Sequence, residues 1–571
     1  MKKLLLFIAF IGMLSIANAQ NPLLSWAKSI GGSDYDSGSS IAVDGQGNVY
    51  TTGCFRYDTV DFDPGPGVYN LINPGNFDIF IMKQNASGDL VWAKQIGGID
   101  SDLGRSICLD KQGNIYVTGY FKFTVDFDPD TGVYNLTTNS GNYNTFILKL
   151  DTAGNFVWAD QLAGDIASDA YSVITDTLGN VYVTGLFIGT VDFDPGPGTY
   201  NLSSAGSSDI FIIKLNSPGD LIWAKQMGGI DLDYGYSVSI DTQSNVYATG
   251  YFKGTADFDP DTGVYNLSAV GNFDIFILKL NEAGDMLWAK QVGGIEMDVA
   301  YSICTDLQGN TYTTGRFKGT ADFDPGSGIY NLITLGVWDL FVEKLDSSGN
   351  LLWAKQLGGN ASKSGNSIIT DRQGNVYLTG EFSDTTDFDP GPATYNLFSA
   401  GTDDVYVLKL NPAGDFVWAE RLGGSGYDFG HSICIDNLDN VYLTGSFESI
   451  ADFDPGSGVF NLSSNGSKDI CIVKLSPDTI TTFTNINQSL HAKLFPNPVT
   501  TELNLTIYAD QNSNISWCIY DILGKEILKG KKEVHNGNTT LKIDLAALPK
   551  GLYLMNVVRN EERINYKVVK Q

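Results

Sequence analysis

The sequence predicts an all-β protein, a seven-bladed β-propeller followed by a small C-terminal β-sandwich. The stretch DFDPGPGVYNL, which begins at Asp61, returns as a near copy six more times at intervals of 65 or 66 residues. A fixed period of this size is typical of repeat architectures. Each copy contains four short segments rich in β-forming residues, which is the content of one propeller blade. The repeat region also begins with the fourth strand of a copy and ends with a third strand, and a closed ring explains this offset.

The offset concerns the fourth strand of each copy, which carries a Trp. The chain begins with such a strand at Trp26, and the repeats end with a third strand, 469–475, that no Trp strand follows. In a ring the N-terminal strand completes the last blade and removes exposed sheet edges. We therefore interpret residues 20–476 as the propeller. A row of small sandwiches is the alternative, but about 65 residues is short for a sandwich domain.

The second full copy illustrates the predicted blade. Its strand segments are rich in Val, Ile, Tyr and Phe, and turns that contain Gly separate them. Gly113 supplies the positive φ that the tight turn between the first two strands needs. The Asp-Phe-Asp-Pro stretch is an insertion between the second and third strands. The predicted strands are 105–110, 114–121, 145–150 and 156–161.

Residues 1–19 have the pattern of a secretory signal peptide. Lys2 and Lys3 form a basic start, 4–14 is an apolar run, and Ala17-Asn18-Ala19 is a cleavage motif. The apolar run is too short to span a membrane, and no later stretch is long and apolar enough to do so. A buried core helix is the alternative interpretation of this run. We expect a secreted protein without a transmembrane segment.

Charge and cysteine content narrow the function classes. The formal charge of the 571-residue chain is −29, which argues against nucleic acid as a partner because phosphate binding needs clustered Lys and Arg. The chain has six cysteines, too few for a dense disulfide scaffold, and no Cys and His spacing fits a zinc site. We expect a monomer whose acidic surface favours solubility and cation binding.

The repeat stops after residue 476. Residues 477–490, rich in Thr, Asn and Ser, are predicted to be a linker. Residues 491–571 contain alternating strand segments separated by Gly and Asn turns, which predicts a small β-sandwich. Its landmarks are Leu494-Phe495-Pro496-Asn497-Pro498, Ile519-Tyr520-Asp521-Ile522-Leu523-Gly524-Lys525 and Leu548-Pro549-Lys550-Gly551-Leu552-Tyr553.

Both parts resemble known families. The motifs Ser-Ile-x-x-Asp, Gly-Asn-Val-Tyr-x-Thr-Gly, Asp-Ile-Phe-Ile-x-Lys-Leu and Trp-Ala-Lys-Gln-x-Gly-Gly resemble SBBP-type bacterial β-propeller repeats, a resemblance that is specific for architecture and nearly silent on activity. The C-terminal motifs resemble the sorting domain of type IX secretion substrates from Bacteroidota. That resemblance implies contact with the type IX machinery, export across the outer membrane, and release or attachment at the cell surface. A carbohydrate-binding sandwich is the alternative.

The repeated acidic insertion is a candidate calcium site. In a propeller the second-to-third and fourth-to-first connections emerge on one face, so carboxylates gather there. Two copies read Asp-Phe-Asp-Pro-Asp, which resembles the opening of a calcium loop, but the closing Glu is missing and five copies have Gly as the fifth residue. A turn capped by Asp and shaped by Pro and Gly is the alternative. The calcium candidates are Asp126, Asp128, Asp130, Asp257, Asp259 and Asp261.

Trp338 is a candidate ligand contact. Its position holds Phe77, Tyr143 or Phe273 in other copies, and it borders the predicted loop face. Local packing is the alternative role of this side chain.

The sequence predicts a non-enzymatic propeller that binds a glycan or protein ligand through its acidic loop face, or that serves a structural role. It contains no G-x-S-x-G, H-E-x-x-H, Walker or Rossmann pattern. His431 occupies a position that holds Ser39, Arg105 or Tyr171 in other copies, so it belongs to no repeated catalytic site. The alternative function is a carbohydrate-active enzyme, which requires copy-specific polar residues that converge at the mouth of the central channel.

Overall fold

The computed structural model describes residues 21–57, 59–73, 75–139, 141–477, 491–495, 498–509, 512–521, 525–559 and 562–570. The predicted signal peptide, residues 1–19, lies outside them, as does nearly all of the predicted linker, 477–490. The chain divides into two compact units, Met1–Asp478 and Thr479–Gln571, each of which is described by itself. No helix in the described ranges has the length and hydropathy to cross a membrane.

The strands of the first unit follow the predicted period, and each copy adds a short hairpin between its second and third strands. The N-terminal strand is β1 (Leu23–Ile30). Copy 1 contains β2 (Ser37–Val43), β3 (Val49–Arg56), β4 (Thr59–Asp61), β5 (Asn70–Ile72), β6 (Phe77–Gln84) and β7 (Leu90–Ile96). Copy 2 contains β8 (Leu103–Leu109), β9 (Ile115–Lys122), β10 (Thr124–Asp126), β11 (Asn135–Thr137), β12 (Tyr143–Leu150) and β13 (Phe156–Gly164). Copy 3 contains β14 (Ala167–Thr175), β15 (Val181–Ile188), β16 (Thr190–Asp192), β17 (Asn201–Ser203), β18 (Asp209–Leu215) and β19 (Leu221–Gly229). Copy 4 contains β20 (Tyr234–Ile240), β21 (Val246–Phe252), β22 (Thr255–Asp257), β23 (Asn266–Ser268), β24 (Asp274–Leu280) and β25 (Met286–Gly294). Copy 5 contains β26 (Val299–Thr305), β27 (Thr311–Phe317), β28 (Thr320–Asp322), β29 (Asn331–Ile333), β30 (Asp339–Leu345) and β31 (Leu351–Gly359). Copy 6 contains β32 (Lys363–Thr370), β33 (Val376–Phe382), β34 (Thr385–Asp387), β35 (Asn396–Phe398), β36 (Asp404–Leu410) and β37 (Phe416–Gly424). Copy 7 contains β38 (Phe429–Ile435), β39 (Val441–Phe447), β40 (Ile450–Asp452), β41 (Asn461–Ser463) and β42 (Asp469–Ser476).

In copies 1 to 6 the four long strands form one antiparallel blade, and the three long strands of copy 7 form another with β1; we number the blades 1 to 7 by copy. The last blade has the order β1-β42-β39-β38, so the N-terminal strand is its outermost strand. Trp26 pairs with Lys474 and Ile30 with Ile470 in this sheet. The innermost strands contact one another from β2 through β38, and β38 contacts β2 again. The predicted fold class and the closure by the N-terminal strand are confirmed.

A ring of serines joins the innermost strands. In each blade the Ser of the Ser-Ile or Ser-Val pair accepts a hydrogen bond from the backbone N–H of the next blade, over 3.2–3.3 Å. Ser432 of blade 7 accepts from Ile41 of blade 1, which completes the circle. Because a buried N–H without a partner is costly, this contact explains why a Ser recurs there. The seven serines are Ser40, Ser106, Ser172, Ser237, Ser302, Ser367 and Ser432.

The repeated Trp of the fourth strand joins neighbouring blades through an indole hydrogen bond at Trp26, Trp158, Trp223, Trp288 and Trp353. The indole N–H of Trp158 donates to the carbonyl of Ser217 at 3.2 Å, and that of Trp26 in the last blade donates to the carbonyl of Ala86 in the first at 3.1 Å. The ring of Trp158 also meets Tyr116 edge-on. Apolar cores lie between adjacent blades, and one of them joins Ile30 and Ile470 to Phe80.

The acidic hairpins reach back to the preceding blade. In copies 3 to 7 the hairpin pairs with the end of the previous fourth strand, as where Ala163 of blade 2 pairs with Asp192 of copy 3. The ring of each hairpin Phe is buried, and Phe193 packs against Phe187 and Phe211 of its own blade. The insertion therefore bridges two blades, which the sequence period alone does not predict.

The second unit consists of two sheets around one core. The first sheet has the order β43 (His491–Phe495), β44 (Glu502–Ala509) and β47 (Gly537–Asp544). The second has the order β46 (Glu526–Val534), β45 (Ser513–Tyr520), β48 (Gly551–Arg559) and β49 (Glu562–Lys570). Leu505 from the first sheet and Met555 from the second are fully buried in the shared core, as a small sandwich requires.

Candidate functional site

Each innermost strand contains a β-bulge at the same position, directly before the ring serine. The bulged residue is left out of the ladder, and such an insertion redirects a side chain. The repeated Thr-Gly of the second strand makes room for it, because a Cβ on Gly119 would collide with the carbonyl oxygen of Leu103. The bulged residues are Ser39, Arg105, Tyr171, Tyr236, Tyr301, Asn366 and His431.

Six of these seven residues line one cavity at the centre of the ring. The cavity has a volume of about 460 Å³, a size typical of small-ligand pockets. It lies where first strands begin and second strands end, so it opens on the face that carries the hairpins and the fourth-to-first connections. We call this opening the channel mouth. Its other lining residues are Tyr35, Ser37, Cys54, Phe77 and Leu103.

Blades 2 to 5 supply an aromatic half of the channel mouth. The ring of Tyr236 lies 4.9 Å from that of Tyr171 and 5.3 Å from that of Tyr301, centroid to centroid. Tyr251 stacks on Tyr234 at 4.8 Å and meets Phe273 edge-on at 4.9 Å. Neighbouring bulges bring Tyr171, Tyr236 and Tyr301 together, and the buried Tyr251 connects Tyr236 to Phe273.

Arg105 crosses this aromatic half. Its guanidinium donates to Asp169 Oδ2 at 3.0 Å, and it lies 5.0 Å from the ring centroid of Tyr171 and 5.5 Å from that of Tyr120. The Asp169 side chain is buried, and its Oδ1 has no hydrogen-bond partner among the described residues. Burial raises the pKa of Asp169, while Arg105 and Tyr171 beside it lower that pKa and so favour the carboxylate form.

Blades 6 and 7 supply a charged half. The amide of Asn366 donates to Glu381 Oε2 at 2.6 Å, and burial raises the pKa of Glu381 to about 7. Burial lowers the pKa of His431 to about 4, so its ring is neutral at physiological pH. Lys468 Nζ lies 4.0 Å from the ring centroid of Phe429, whose ring stacks on His431. The channel mouth is therefore not seven-fold symmetric in chemistry, although its backbone repeats.

Trp338, the predicted ligand contact, lies at the start of a third strand beside the channel mouth. The guanidinium of Arg316 sits 4.6 Å from its ring centroid and 5.7 Å from that of Tyr301. Trp338 is half-buried, and its carbonyl accepts a hydrogen bond from Lys363 N–H at 3.2 Å. The residue thus joins the aromatic half through Arg316, and its ligand contact stays a prediction.

The calcium candidates lie in two hairpin turns, where their oxygens contact the turn backbone. Asp126 Oδ1 accepts from the N–H of Asp128 at 3.1 Å and of Tyr134 at 2.7 Å. Asp128 Oδ1 accepts from the N–H of Asp130, and Asp130 pairs with Lys94 of the preceding blade at 2.5 Å. The same contacts recur at Asp257, Asp259 and Asp261, with Lys225 as the cation. In the described part of the chain no three His, Cys, Asp or Glu side chains are arranged to hold a metal ion, and calcium stays a prediction.

Sequence reasoning missed most of the channel mouth. His431 occupies a position that differs between copies, from which we expect no repeated site, yet it lines the cavity. The sequence did contain a signal: the residue before each ring serine and the residue after each second-strand Thr-Gly vary from copy to copy, whereas the ring serine and the Thr-Gly do not. The bulge determines which of these variable positions face the channel, and no local sequence pattern predicts the bulge.

Fold and channel mouth together define a seven-bladed β-propeller with a central ligand-sized cavity. Within that class, residues 26–53, 91–120, 352–381 and 417–446 match the beta-propeller repeat family. Residues 493–571 match the secretion system C-terminal sorting domain. The chain therefore contains β-propeller repeats and a secretion sorting domain, as the two resemblances predicted. The sorting domain indicates secretion or display at the cell surface.

Similar proteins give little information on activity. An uncharacterized WD repeat-containing protein of Acanthamoeba polyphaga mimivirus is 26% identical over 74% of this chain and 36% of its own length. The regulatory protein FlaEY of Caulobacter vibrioides is 25% identical over 39% of this chain and 24% of its own length. The chain thus spans about a third or less of these relatives. The crystal structure of dimeric latent PorU from Porphyromonas gingivalis aligns with a TM-score of 0.14 and 10% identity over 59% of this chain and 32% of that chain.

Proposed function

We propose that this protein is a secreted or surface-displayed binding protein that holds its ligand at the channel mouth. One observation carries the proposal: the repeated residues build the scaffold, whereas the copy-specific residues converge on a single cavity of about 460 Å³. Binding residues placed by a rigid frame are typical of ligand sites. The acidic hairpins lie on the same face, but their carboxylates are engaged with turn N–H groups, which favours the cavity as the ligand site.

The chemistry of the cavity suits a ligand with both flat and polar surfaces. Tyr171, Tyr236 and Tyr301 offer ring faces, and the Arg105–Asp169 pair offers a donor and an acceptor side by side. Aromatic faces bury large areas with little loss of side-chain entropy. A glycan or a polar segment of a protein fits this description.

A screen of glycans and proteins against the mature chain tests the proposal, with Tyr236→Ala as the diagnostic variant. Loss of one stacking ring should weaken a ligand of the channel mouth at least tenfold, about 1.4 kcal/mol. Tyr265→Ala is the matched control, because Tyr265 is 42% exposed on the hairpin of the same copy. If Tyr265→Ala weakens binding and Tyr236→Ala does not, the ligand sits on the hairpins and the proposal is wrong.

Glycoside hydrolysis is a second candidate function, and Glu381 favours it. Its pKa of about 7 suits a general acid, and the nearby Asp403 carboxylate helps to raise that pKa, after burial. Glu381→Gln keeps the shape and removes the acid. If the protein hydrolyses a glycan, this variant should lose turnover while it retains binding; unchanged turnover would exclude Glu381 as the acid.

We also propose the route by which the protein reaches its location. Residues 1–19 direct it into the secretory pathway, and residues 491–571 are recognised by the type IX machinery after a linker at 477–490. The family match at 493–571 supports the second step. We propose that the propeller acts as a monomer, since its own N-terminal strand completes the ring.

A further inference from the structure

The arginines of the propeller are distributed unevenly. The chain has a formal charge of −29, and its described propeller contains five arginines. Three of them, Arg56, Arg105 and Arg316, lie over aromatic rings at or beside the channel mouth. Lys468 joins them from blade 7, 5.9 Å from the ring centroid of Tyr35. Three of the five arginines therefore lie where the copies differ most, whereas the repeated third-strand lysines, such as Lys149 and Lys279, lie over tyrosine rings at constant positions.

Two of these cations lack a close counter-charge. Among the described residues, no carboxylate oxygen lies within 4 Å of the Arg316 guanidinium or of Lys468 Nζ. By contrast, Lys318, two residues after Arg316, pairs with Glu296 at 3.4 Å. The Nε of Arg316 is buried without a hydrogen-bond partner. Carboxylates farther away act on both cations: Glu381 faces Arg316 and Lys468, and Glu448, Asp428 and Asp403 surround Lys468. Among the described carboxylates, Arg316 therefore has only Glu381, whose carboxylate accepts from Asn366 and whose pKa burial raises to about 7.

We propose, on the basis of the proposed function, that the ligand of the channel mouth is an acidic oligosaccharide, a chain of sugar rings that bear carboxylates. A guanidinium stacked on an aromatic ring keeps its edge N–H groups free, and their fork matches a carboxylate with two parallel hydrogen bonds. The sugar rings lie on the tyrosine faces between blades 3 and 5.

The backbone disfavours an acidic peptide as the ligand. An extended peptide binds best when it adds to a free strand edge. Here the inner edge of each first strand is interrupted by the bulge, and the N–H of the residue after the ring serine is donated to the serine of the preceding blade, as from Ile303 to Ser237 at 3.2 Å. A saccharide needs no such edge.

Calorimetric titration of the mature chain with trigalacturonate, neutral galactotriose and triglutamate tests the proposal. These probes separate the carboxylate, the sugar ring and a peptide source of carboxylates. We expect trigalacturonate to bind at least tenfold more tightly than galactotriose, with an affinity that falls as salt is added. Arg316→Gln should weaken trigalacturonate at least tenfold, and Arg316→Lys should weaken it less because the charge remains.

The control variant is Lys318→Gln. It removes from the same blade a cation that already pairs with a carboxylate, that of Glu296. It should change the affinity less than twofold, and melting temperatures should show that all variants fold.

Equal binding of galactotriose and trigalacturonate, or binding of triglutamate alone, would overturn the acidic-sugar inference. If Tyr236→Ala still abolishes binding in either case, the proposed site stands; if trigalacturonate binds but Tyr236→Ala and Arg316→Gln change nothing, both proposals are wrong. Absence of binding by trigalacturonate at 1 mM, roughly −4 kcal/mol, also overturns the inference.

Discussion

Replacement of Ile30 by Ala tests the closure of the ring. Ile30 belongs to the N-terminal strand, is 2% exposed, and packs in a core shared by the first and last blades. The substitution removes three carbons, worth about 0.8 kcal/mol each in lost burial. The cavity left behind adds to this loss, so we expect the free energy of unfolding to fall by about 3 kcal/mol. That is a large part of the roughly 5–15 kcal/mol by which most domains are stable.

Ile96→Ala is the matched control for this substitution. Ile96 occupies the same position in blade 1, is 1% exposed, and belongs to a blade that is continuous in sequence. Denaturant unfolding, followed by tryptophan fluorescence, should give similar losses for both variants if the N-terminal strand is fully docked. Proteolysis near the N-terminus should accelerate for Ile30→Ala alone, because that strand can open locally. A loss of about 3 kcal/mol for Ile96→Ala with less than about 1 kcal/mol for Ile30→Ala would refute closure by this strand.

Three other predictions concern the buried aspartates, the hairpin turns and the sorting domain. Burial raises the pKa of Asp102 and Asp233 to about 7, although each carboxylate accepts hydrogen bonds from backbone N–H groups. The folded state therefore binds more protons than the unfolded chain between about pH 4 and 7, and the free energy of unfolding should fall as the pH rises through that window. Asp102→Asn should flatten this slope in thermal melts by up to about 1.4 kcal/mol per pH unit, and an unchanged slope would contradict the prediction. Because Asp126 and Asp257 already cap their turns, we expect a chelator to shift the melting temperature by less than about 1 °C, whereas a larger drop would establish that calcium is bound. Deletion of residues 491–571 should leave the propeller in the periplasm, as fractionation would reveal, and normal surface display would contradict the sorting role.

The fold was largely readable from the sequence, because the period fixes the number of blades and Trp26 fixes the closure. The attachment of each hairpin to the preceding blade was not, since it depends on two-residue pairings such as Gly228 with Asp257 and Gly229 with Ala256. The chemistry of the channel mouth was harder still. Tyr236 and Arg316 look like random variation between copies until a bulge brings Tyr236 to the cavity and a strand end brings Arg316 beside Tyr301.

The β-bulges have a consequence for how such a protein changes over time. A bulged residue takes no part in the ladder, and the Ser and Gly beside it hold the strands whatever that residue is. Seven side chains can thus be exchanged without loss of a ladder hydrogen bond, on strands that position them more firmly than loops do. In a ring of this kind, a few point substitutions at the bulged positions can change ligand specificity while the fold stays unchanged.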